Sequence, residues 1–120
     1  MRVGIFGGLS ANGPIDDIVD DARTAESEGF ASYWLPQVFG MDALTALAVV
    51  GREVPRIELG TAVVPTYPRH PMVLAAQALT TQAITGGRLA LGIGLSHQLV
   101  IEGMFGMSFE KPVRHMREYL

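Results

Sequence analysis

The sequence of 120 residues contains no cysteine. This absence excludes disulfides, thiolate nucleophiles and thiolate metal ligands from the chemistry of these residues. Because disulfides are typical of secreted proteins, their exclusion fits a cytoplasmic protein. The three histidines, His70, His97 and His115, are spread along the chain without the spacing of a metal-binding motif, so we expect no metal site.

Long apolar runs and an excess of basic residues are also lacking. No stretch approaches the roughly 18 apolar residues of a membrane-spanning helix, and the first residues lack the apolar segment of a signal peptide. The formal net charge of −3 argues against nucleic acid or an anionic membrane as the main partner. We therefore expect a cytoplasmic protein whose partner is a small molecule, with neither nucleic acid nor a membrane involved.

What the sequence does contain is a repeated pattern of strand followed by helix. Hydrophobic residues make up 48% of the chain, which is enough for a buried core. Short apolar runs bounded by glycine or proline predict buried strands, and the last of these runs is predicted to be buried on both faces. The predicted strands span residues 2–8, 32–36, 57–65 and 88–96.

A helix is predicted after each strand, from apolar spacing and from boundary residues such as proline at the start and glycine at the end. The predicted helices span residues 14–28, 43–54, 70–85 and 113–120, with an irregular stretch before the last. The residues of the third helix that are predicted to face the core are Val73, Leu74, Ala78 and Leu79. His70 is predicted to begin this helix, and His115 to lie on the surface of the last one.

Alternation of strands and helices predicts a parallel sheet, either open or closed into a barrel. The glycine fingerprint of dinucleotide-binding sheets is missing after the first strand, and a lone Gly92-x-Gly94 is a weak signal. A barrel has eight strands and about 250 residues. We therefore predict an α/β fold in one domain over residues 1–120, the N-terminal (β/α)4 half of a TIM barrel with parallel strands and outer helices. Such a half could be completed by a second copy of the chain or by more of the same polypeptide, and we favour the second.

Ligands of parallel α/β folds bind where the carboxyl ends of the strands share one face. Residues at the carboxyl ends of the predicted strands should therefore cluster in space. They are Gly7, Pro36, Gln37, Ala62, Val63, Ser96 and His97.

Several motifs occur in order along the chain and together resemble the bacterial luciferase-like superfamily, most of all its oxidoreductases that depend on the deazaflavin coenzyme F420. These motifs are Leu35-Pro36-Gln37, the segment 42–47 (Asp-Ala-Leu-Thr-Ala-Leu), the segment 58–65 (Glu-Leu-Gly-Thr-Ala-Val-Val-Pro), Gly86-Gly87-Arg88 and the segment 91–94 (Leu-Gly-Ile-Gly). The resemblance implies a TIM barrel with the deazaflavin across its C-terminal mouth. It also implies a non-prolyl cis peptide at Ala62–Val63, behind the ring, with an ordinary trans strand as the alternative.

The resemblance further implies hydride transfer between the deazaflavin and a small organic substrate. The implied cofactor-binding residues are Gly7, Pro36, Ala62, Val63, Val64, Leu95 and Ser96. His97 and Gln37 are the candidate catalytic residues, with loop residues of purely structural role as the alternative. Some members carry an acid and a histidine where this chain has Pro36 and Gln37, so their acid–base chemistry is not carried over. Arg69 is a candidate contact to a coenzyme phosphate or carboxylate, or else a surface arginine.

Two other functions remain open. An FMN-dependent monooxygenase of the same superfamily would use reduced flavin to activate oxygen. A catalytically silent half-barrel would serve only as an assembly or folding module. We expect the protein to be a homo-oligomer unless a C-terminal half completes the barrel.

Overall fold

The computed structural model describes residues 1–37 and 39–120. Within these residues, the strands are β1 (Gly4–Phe6), β2 (Ser32–Leu35), β3 (Glu58–Thr61), β4 (Val64–Pro65), β5 (Leu89–Ala90) and β6 (Ile93–Gly94). The α-helices are α1 (Ile15–Ser27), α2 (Ala43–Glu53), α3 (Pro71–Ile84), α4 (Gln98–Gly103) and α5 (Pro112–Tyr119), and a 3-10 turn spans Ser10–Asn12.

All strand pairs are parallel, as predicted. The main sheet has the order β1-β2-β3-β5, and β4 pairs with β6 in a second, two-stranded sheet. The register places Ile5 beside Tyr33 and Tyr33 beside Leu59. The sheet is therefore an open arc of consecutive strands, with β1 at one edge and β5 at the other.

Helix α1 shows how local sequence sets an element. Its apolar residues recur every three or four positions, and the four that are buried are Ile18, Val19, Ala22 and Ala25. Gly29, with φ of +85°, ends the helix in the left-handed conformation that glycine adopts at little cost. The Phe30 amide then donates to the Ala25 carbonyl at 3.1 Å, and the Phe30 ring packs on the core.

The core lies between the sheet and helices α1 and α2. Tyr33, Leu35 and Leu59 point from the sheet into this layer, and each is at most 1% exposed. Leu47 and Val50 of α2 meet them from the other side. A smaller apolar cluster joins Leu44, Val64 and Leu74. None of the described helices is long and apolar enough to cross a membrane.

The predicted strands at 57–65 and 88–96 are each broken in two, which corrects the prediction of continuous strands. At the break, the Thr61 hydroxyl donates to the Gly92 carbonyl and accepts from the Gly92 amide, both at 2.8 Å. The Thr61 side chain thus bonds the Gly92 backbone at the point where the backbone ladder between the two strands is interrupted. Beyond it, Val64 pairs with Ile93 in the second sheet.

Burial of the edge strands was also predicted wrongly. Phe6 is 58% exposed and Leu91 is 43% exposed, although both segments were predicted to be buried. Each lies in an edge strand or just beyond it, so it lacks a strand neighbour on one side. Apolar runs indicate that a segment is suited to burial, but the topology decides how much cover it receives.

The predicted inward face of α3 is wrong in part. Val73 is 57% exposed and Leu79 is 71% exposed, whereas Leu74 is buried as predicted. The helix is apolar around most of its circumference, so apolar spacing does not single out one face. Its inner side is marked instead by polar bonds to α2, since the Gln77 amide donates to Asp42 and the Thr81 hydroxyl to the Leu44 carbonyl.

The stretch before α5 was predicted to be irregular, yet it contains the short helix α4. Ile101 anchors this helix and is fully buried. The His97 carbonyl accepts hydrogen bonds from the amides of Val100 and Ile101, which closes the first turn. Helix α5 begins at Pro112, as predicted.

Candidate functional site

A cleft of about 340 Å³ opens at the carboxyl ends of the strands. Its volume lies within the range of small-molecule sites, about 300–1,000 Å³. The cleft is lined by Pro36, Gln37, Phe39, Ala62, Val63, Pro65, Ser96, His97, Val100 and Phe105.

Six of the residues predicted to cluster lie together on this lining. They come from three separate strand ends and are Pro36, Gln37, Ala62, Val63, Ser96 and His97. The parallel topology explains their meeting, because it directs the ends of β2, β3 and β6 to the same face.

The other predicted cofactor-binding residues lie outside the lining. Gly7 makes room for Tyr33, since a Cβ atom on Gly7 would lie 2.1 Å from the Tyr33 hydroxyl. Val64 is fully buried beside Leu44. Leu95 is partly buried and is not part of the cleft wall.

The wall beneath the cleft is formed by Ala62 and Val63. Their peptide bond is cis, as the resemblance implies. The Val63 side chain is 43% exposed, so an apolar group faces the opening. A flat, largely apolar ring fits against such a wall, since no charged group of the lining stands in its way.

Gln37 is held by the start of α2. Its Oε1 atom accepts from the Ala43 amide at 2.6 Å, which satisfies one of the free amides at the helix N-terminus. The Gln37 side chain is thereby fixed at the cleft wall with its Nε2 amide as the remaining polar group. We conclude that Gln37 has a structural bond as well as a place in the cleft.

Ser96 and His97 turn the chain from β6 into α4. Ser96 adopts a left-handed conformation with φ of +64°. His97 is the N-cap residue of α4, but its side chain does not cap the helix. The exposed imidazole therefore belongs to the cleft, where it can donate or accept a proton.

Phe39, Pro65, Val100 and Phe105 also line the cleft, although the sequence did not single them out. Val100 belongs to the helix that was predicted as irregular chain. Phe105 lies in a stretch rich in glycine and methionine, and its aromatic ring is the sequence feature that could have indicated a binding role there.

The loop after β4 is fixed from below by Asp42. This carboxylate accepts from the Thr45 amide at 2.9 Å and from Gln77 at 2.7 Å, and it pairs with Arg69. Burial raises the pKa of Asp42, but the bonds from Thr45 and the charge of Arg69 outweigh burial and lower it overall. The Arg69 side chain is 18% exposed and paired with Asp42, and its candidate contact with a coenzyme phosphate or carboxylate stays a prediction.

Helix α5 covers the same loop from outside, and His115 is part of the contact. The His115 ring stacks on Tyr67 with centroids 3.9 Å apart, and its Nε2 atom lies 3.0 Å from the Thr66 hydroxyl. The Tyr119 hydroxyl donates to the Arg69 carbonyl at 2.9 Å. His115, predicted as a helix-surface residue, is thus half-buried, because the loop supplies both stacking and hydrogen-bonding partners.

The described residues contain no group of three or more histidine, aspartate or glutamate side chains able to hold a metal ion. The cleft itself offers apolar walls and one imidazole. Its walls can bind and orient a planar ring and keep water away, and one imidazole can exchange a proton.

The sequence and the fold of the chain both resemble those of known proteins. The model of a family described as luciferase-like monooxygenase matches residues 1–120. A provisionally named coenzyme F420-dependent oxidoreductase of Mycobacterium tuberculosis (strain ATCC 25618 / H37Rv) is 36% identical over 120 residues, which are 100% of this chain and 35% of that protein. The chain thus spans about a third of the length of this curated relative.

Two solved structures share the fold. One is an F420-dependent secondary alcohol dehydrogenase in complex with an F420–acetone adduct, with a TM-score of 0.81 and 20% sequence identity. The match covers 96% of this chain and 38% of the dehydrogenase chain. The other is the FMN-bound oxygenating constituent of 3,6-diketocamphane monooxygenase from Pseudomonas putida, with a TM-score of 0.85 and 19% sequence identity. That match covers 99% of this chain and 37% of the monooxygenase chain. These likenesses confirm the predicted fold, the N-terminal part of a TIM barrel.

Proposed function

The chain belongs to the luciferase-like monooxygenase family, and from that premise we propose that the protein is an oxidoreductase dependent on coenzyme F420. The observation that carries the proposal is the 36% identity to an F420-dependent oxidoreductase, which runs through all 120 residues. The cleft supports it, because its apolar wall lies at the end of the sheet where ligands of this fold bind. The proposed partner is a small organic substrate.

Within the proposed enzyme, coenzyme F420 supplies the chemistry by accepting or giving a hydride. The residues that would hold its ring are Pro36, Ala62, Val63 and Ser96. The first three give a flat apolar wall, and Ser96 adds a hydroxyl at the rim. Phe39 and Phe105 add exposed aromatic side chains to the same lining, from which a bound ring would displace water.

His97 is proposed as the catalytic residue of this chain. Its imidazole is the group on the described lining whose nitrogen atoms can take up or release a proton. An alcohol that loses a hydride also loses a proton from its oxygen, and the His97 ring would hold that proton. Gln37, fixed through its bond to Ala43, would orient the substrate by donating from its Nε2 amide.

An FMN-dependent monooxygenase is the second candidate, because the FMN-bound neighbour has the higher TM-score of the two structures compared. Titration of the purified full-length protein with F420 and with FMN distinguishes them by the quenching of coenzyme fluorescence. We expect F420 to bind about tenfold more tightly than FMN, a difference of about 1.4 kcal/mol. Tighter binding of FMN, with rapid reoxidation of the bound reduced flavin by air, would favour the monooxygenase instead.

Substitution at the cleft wall tests the location. Ala62→Phe should abolish F420 binding, because the larger side chain fills the space against the wall, while the circular dichroism spectrum stays unchanged. Ala75→Phe is the matched control, since Ala75 is exposed on α3 outside the cleft. Equal binding by both variants would refute the site. Binding of neither coenzyme by the folded wild type would point to a silent module.

A further inference from the structure

The described residues that line the cleft are apolar or uncharged polar residues and one histidine. Among these ten residues there is no aspartate, glutamate, lysine or arginine. On the adjoining loop, Arg69 is paired with Asp42, and its side chain is only 18% exposed. An anionic ligand would lose its hydration here without gaining a charged partner from these residues, which is costly.

Apolar side chains, in contrast, are open to the cleft. Phe39 is 63% exposed, Phe105 is 44% exposed, and Val63 is 43% exposed. Large apolar groups that remain exposed in a concave site gain free energy when an apolar ligand displaces water from them. The wall is therefore suited to hydrocarbon rather than to a phosphate or a carboxylate.

The outer wall of the cleft is held in place rather than free. Ile101 is fully buried and anchors α4, so Val100 is turned towards the cleft while Leu99 remains 82% exposed outside it. The Phe105 amide donates to the Val100 carbonyl at 3.2 Å, which folds Phe105 back over the end of α4. Val100 and Phe105 thus form a preformed apolar wall.

We infer that the cleft takes an uncharged, largely apolar substrate with one hydroxyl or carbonyl group, held by Phe39, Val100 and Phe105 with its oxygen towards His97. This inference rests on the proposed function for the reaction, but the preference for an uncharged molecule follows from the lining itself.

The test compares two probes that share one ring, cyclohexanol and cyclohexyl phosphate. Their binding to the purified full-length protein is measured by saturation-transfer NMR, without coenzyme and with F420. We expect cyclohexanol to bind about tenfold more tightly than cyclohexyl phosphate, because the phosphate must be desolvated without a partner. Tighter binding of the phosphate, or saturation transfer to neither probe, would overturn the inference.

Variants locate the effect. Phe105→Lys places a cation on the wall, so it should weaken cyclohexanol binding and strengthen cyclohexyl phosphate binding, each by about tenfold. Leu99→Lys adds the same charge to the same helix outside the cleft and should change neither. Phe105→Ala should weaken cyclohexanol binding alone, which separates loss of apolar area from gain of charge. Equal behaviour of the two lysine variants would contradict the assignment.

The same samples keep the two proposals apart. If cyclohexanol binds and F420 does not, the proposed coenzyme is wrong and the substrate class stands. If F420 binds and the phosphate probe is preferred, the substrate class is wrong and the proposed function stands.

Discussion

Arg88 joins the ends of two helices and a strand through a single side chain. It follows the Gly86-Gly87 pair and is partly buried. Its guanidinium donates to the carbonyls of Thr85, Val54, Ile57 and Gly51, at 2.6–3.0 Å. A cation is favoured there, because the carbonyl ends of α2 and α3 carry partial negative charge. The planar fork of arginine satisfies several carbonyls at once, which the ammonium of lysine cannot reproduce.

We predict that Arg88→Lys lowers the free energy of unfolding by about 1–3 kcal/mol, the cost of losing charged hydrogen bonds while the charge remains. Urea unfolding followed by circular dichroism measures it. Arg52→Lys is the matched control, because Arg52 is exposed on α2, and its effect should stay within about 0.5 kcal/mol. Equal stability of the two variants would show that the carbonyl contacts contribute nothing.

Tyr33 carries a buried hydroxyl beside a carboxylate. It donates to Asp21 Oδ2 at 3.0 Å and lies 3.3 Å from the Ser10 hydroxyl. Burial raises the pKa of Tyr33 to about 12; the Ser10 hydrogen bond opposes this shift, and the charge and the hydrogen bond of Asp21 add smaller contributions that raise it.

This shift predicts a loss of stability in alkali. Below pH 10 the phenol is protonated in both states, and its contribution to stability is fully present. Between about pH 10 and 12 the unfolded phenol ionises while the folded one does not, so the unfolded state is favoured. Urea unfolding should therefore show a steeper loss of stability from about pH 10 to 12 for the wild type than for Tyr33→Phe. Parallel losses would mean that the folded pKa is not raised.

At the scale of elements, the break between β3 and β4 is the feature that shapes the cleft. Thr61 ends β3, and its hydroxyl bonds both the amide and the carbonyl of Gly92. The next two residues, Ala62 and Val63, then leave the sheet and line the cleft. One buried hydroxyl thus connects the sheet to the wall on which the proposed ring lies.

Thr61→Val should therefore lower the free energy of unfolding by about 1–3 kcal/mol, because the Gly92 amide loses its partner with little change of volume, while the Gly92 carbonyl keeps the bond from the Val64 amide. It should also weaken F420 binding, since the neighbouring wall is released. Thr80→Val is the control: Thr80 is exposed and bonds only its own helix, at the Ala76 carbonyl. Chemical denaturation and the fluorescence titration give the two readouts, and a Thr61→Val protein as stable as Thr80→Val would contradict the prediction.

The elements that sequence reasoning predicted well are those whose physics is local. Helix α1 segregates acidic and apolar residues and ends at a glycine, so both its face and its end could be predicted. Helix α3 is apolar all round, and its buried face depends on Asp42 and Leu44, residues far away in sequence. The break at Thr61 depends on Gly92, which no strand propensity encodes.

The candidate site likewise contains residues that the sequence predicts and residues whose position depends on tertiary contacts. Pro36, Ala62 and His97 lie at the carboxyl ends of predicted strands, so parallel topology alone predicts that they meet. Phe105 reaches the cleft because α4 is anchored by Ile101 and folds the chain back, and that arrangement is tertiary.

At the scale of the whole molecule, the open sheet has two free edges. Strands β1 and β5 end the sheet, and each offers amide and carbonyl groups that another strand could pair with. Apolar residues near these edges are exposed as well, with Val3 at 46%, Phe6 at 58% and Leu91 at 43%. A free edge combined with exposed apolar side chains favours association with a further set of strands, either from a second copy or from more of the same polypeptide.

A polypeptide of these 120 residues alone is therefore predicted to self-associate and to bind F420 weakly. Light scattering over a dilution series should show a mass above that of one chain, falling as the protein is diluted. Phe6→Lys should reduce the association, because it places a charge on the exposed apolar edge, which is a common protection of free strands. Leu9→Lys is the matched control, since Leu9 is fully exposed in the turn after β1 and outside the sheet. A stable monomer at all concentrations with tight F420 binding would show that the open edges need no partner.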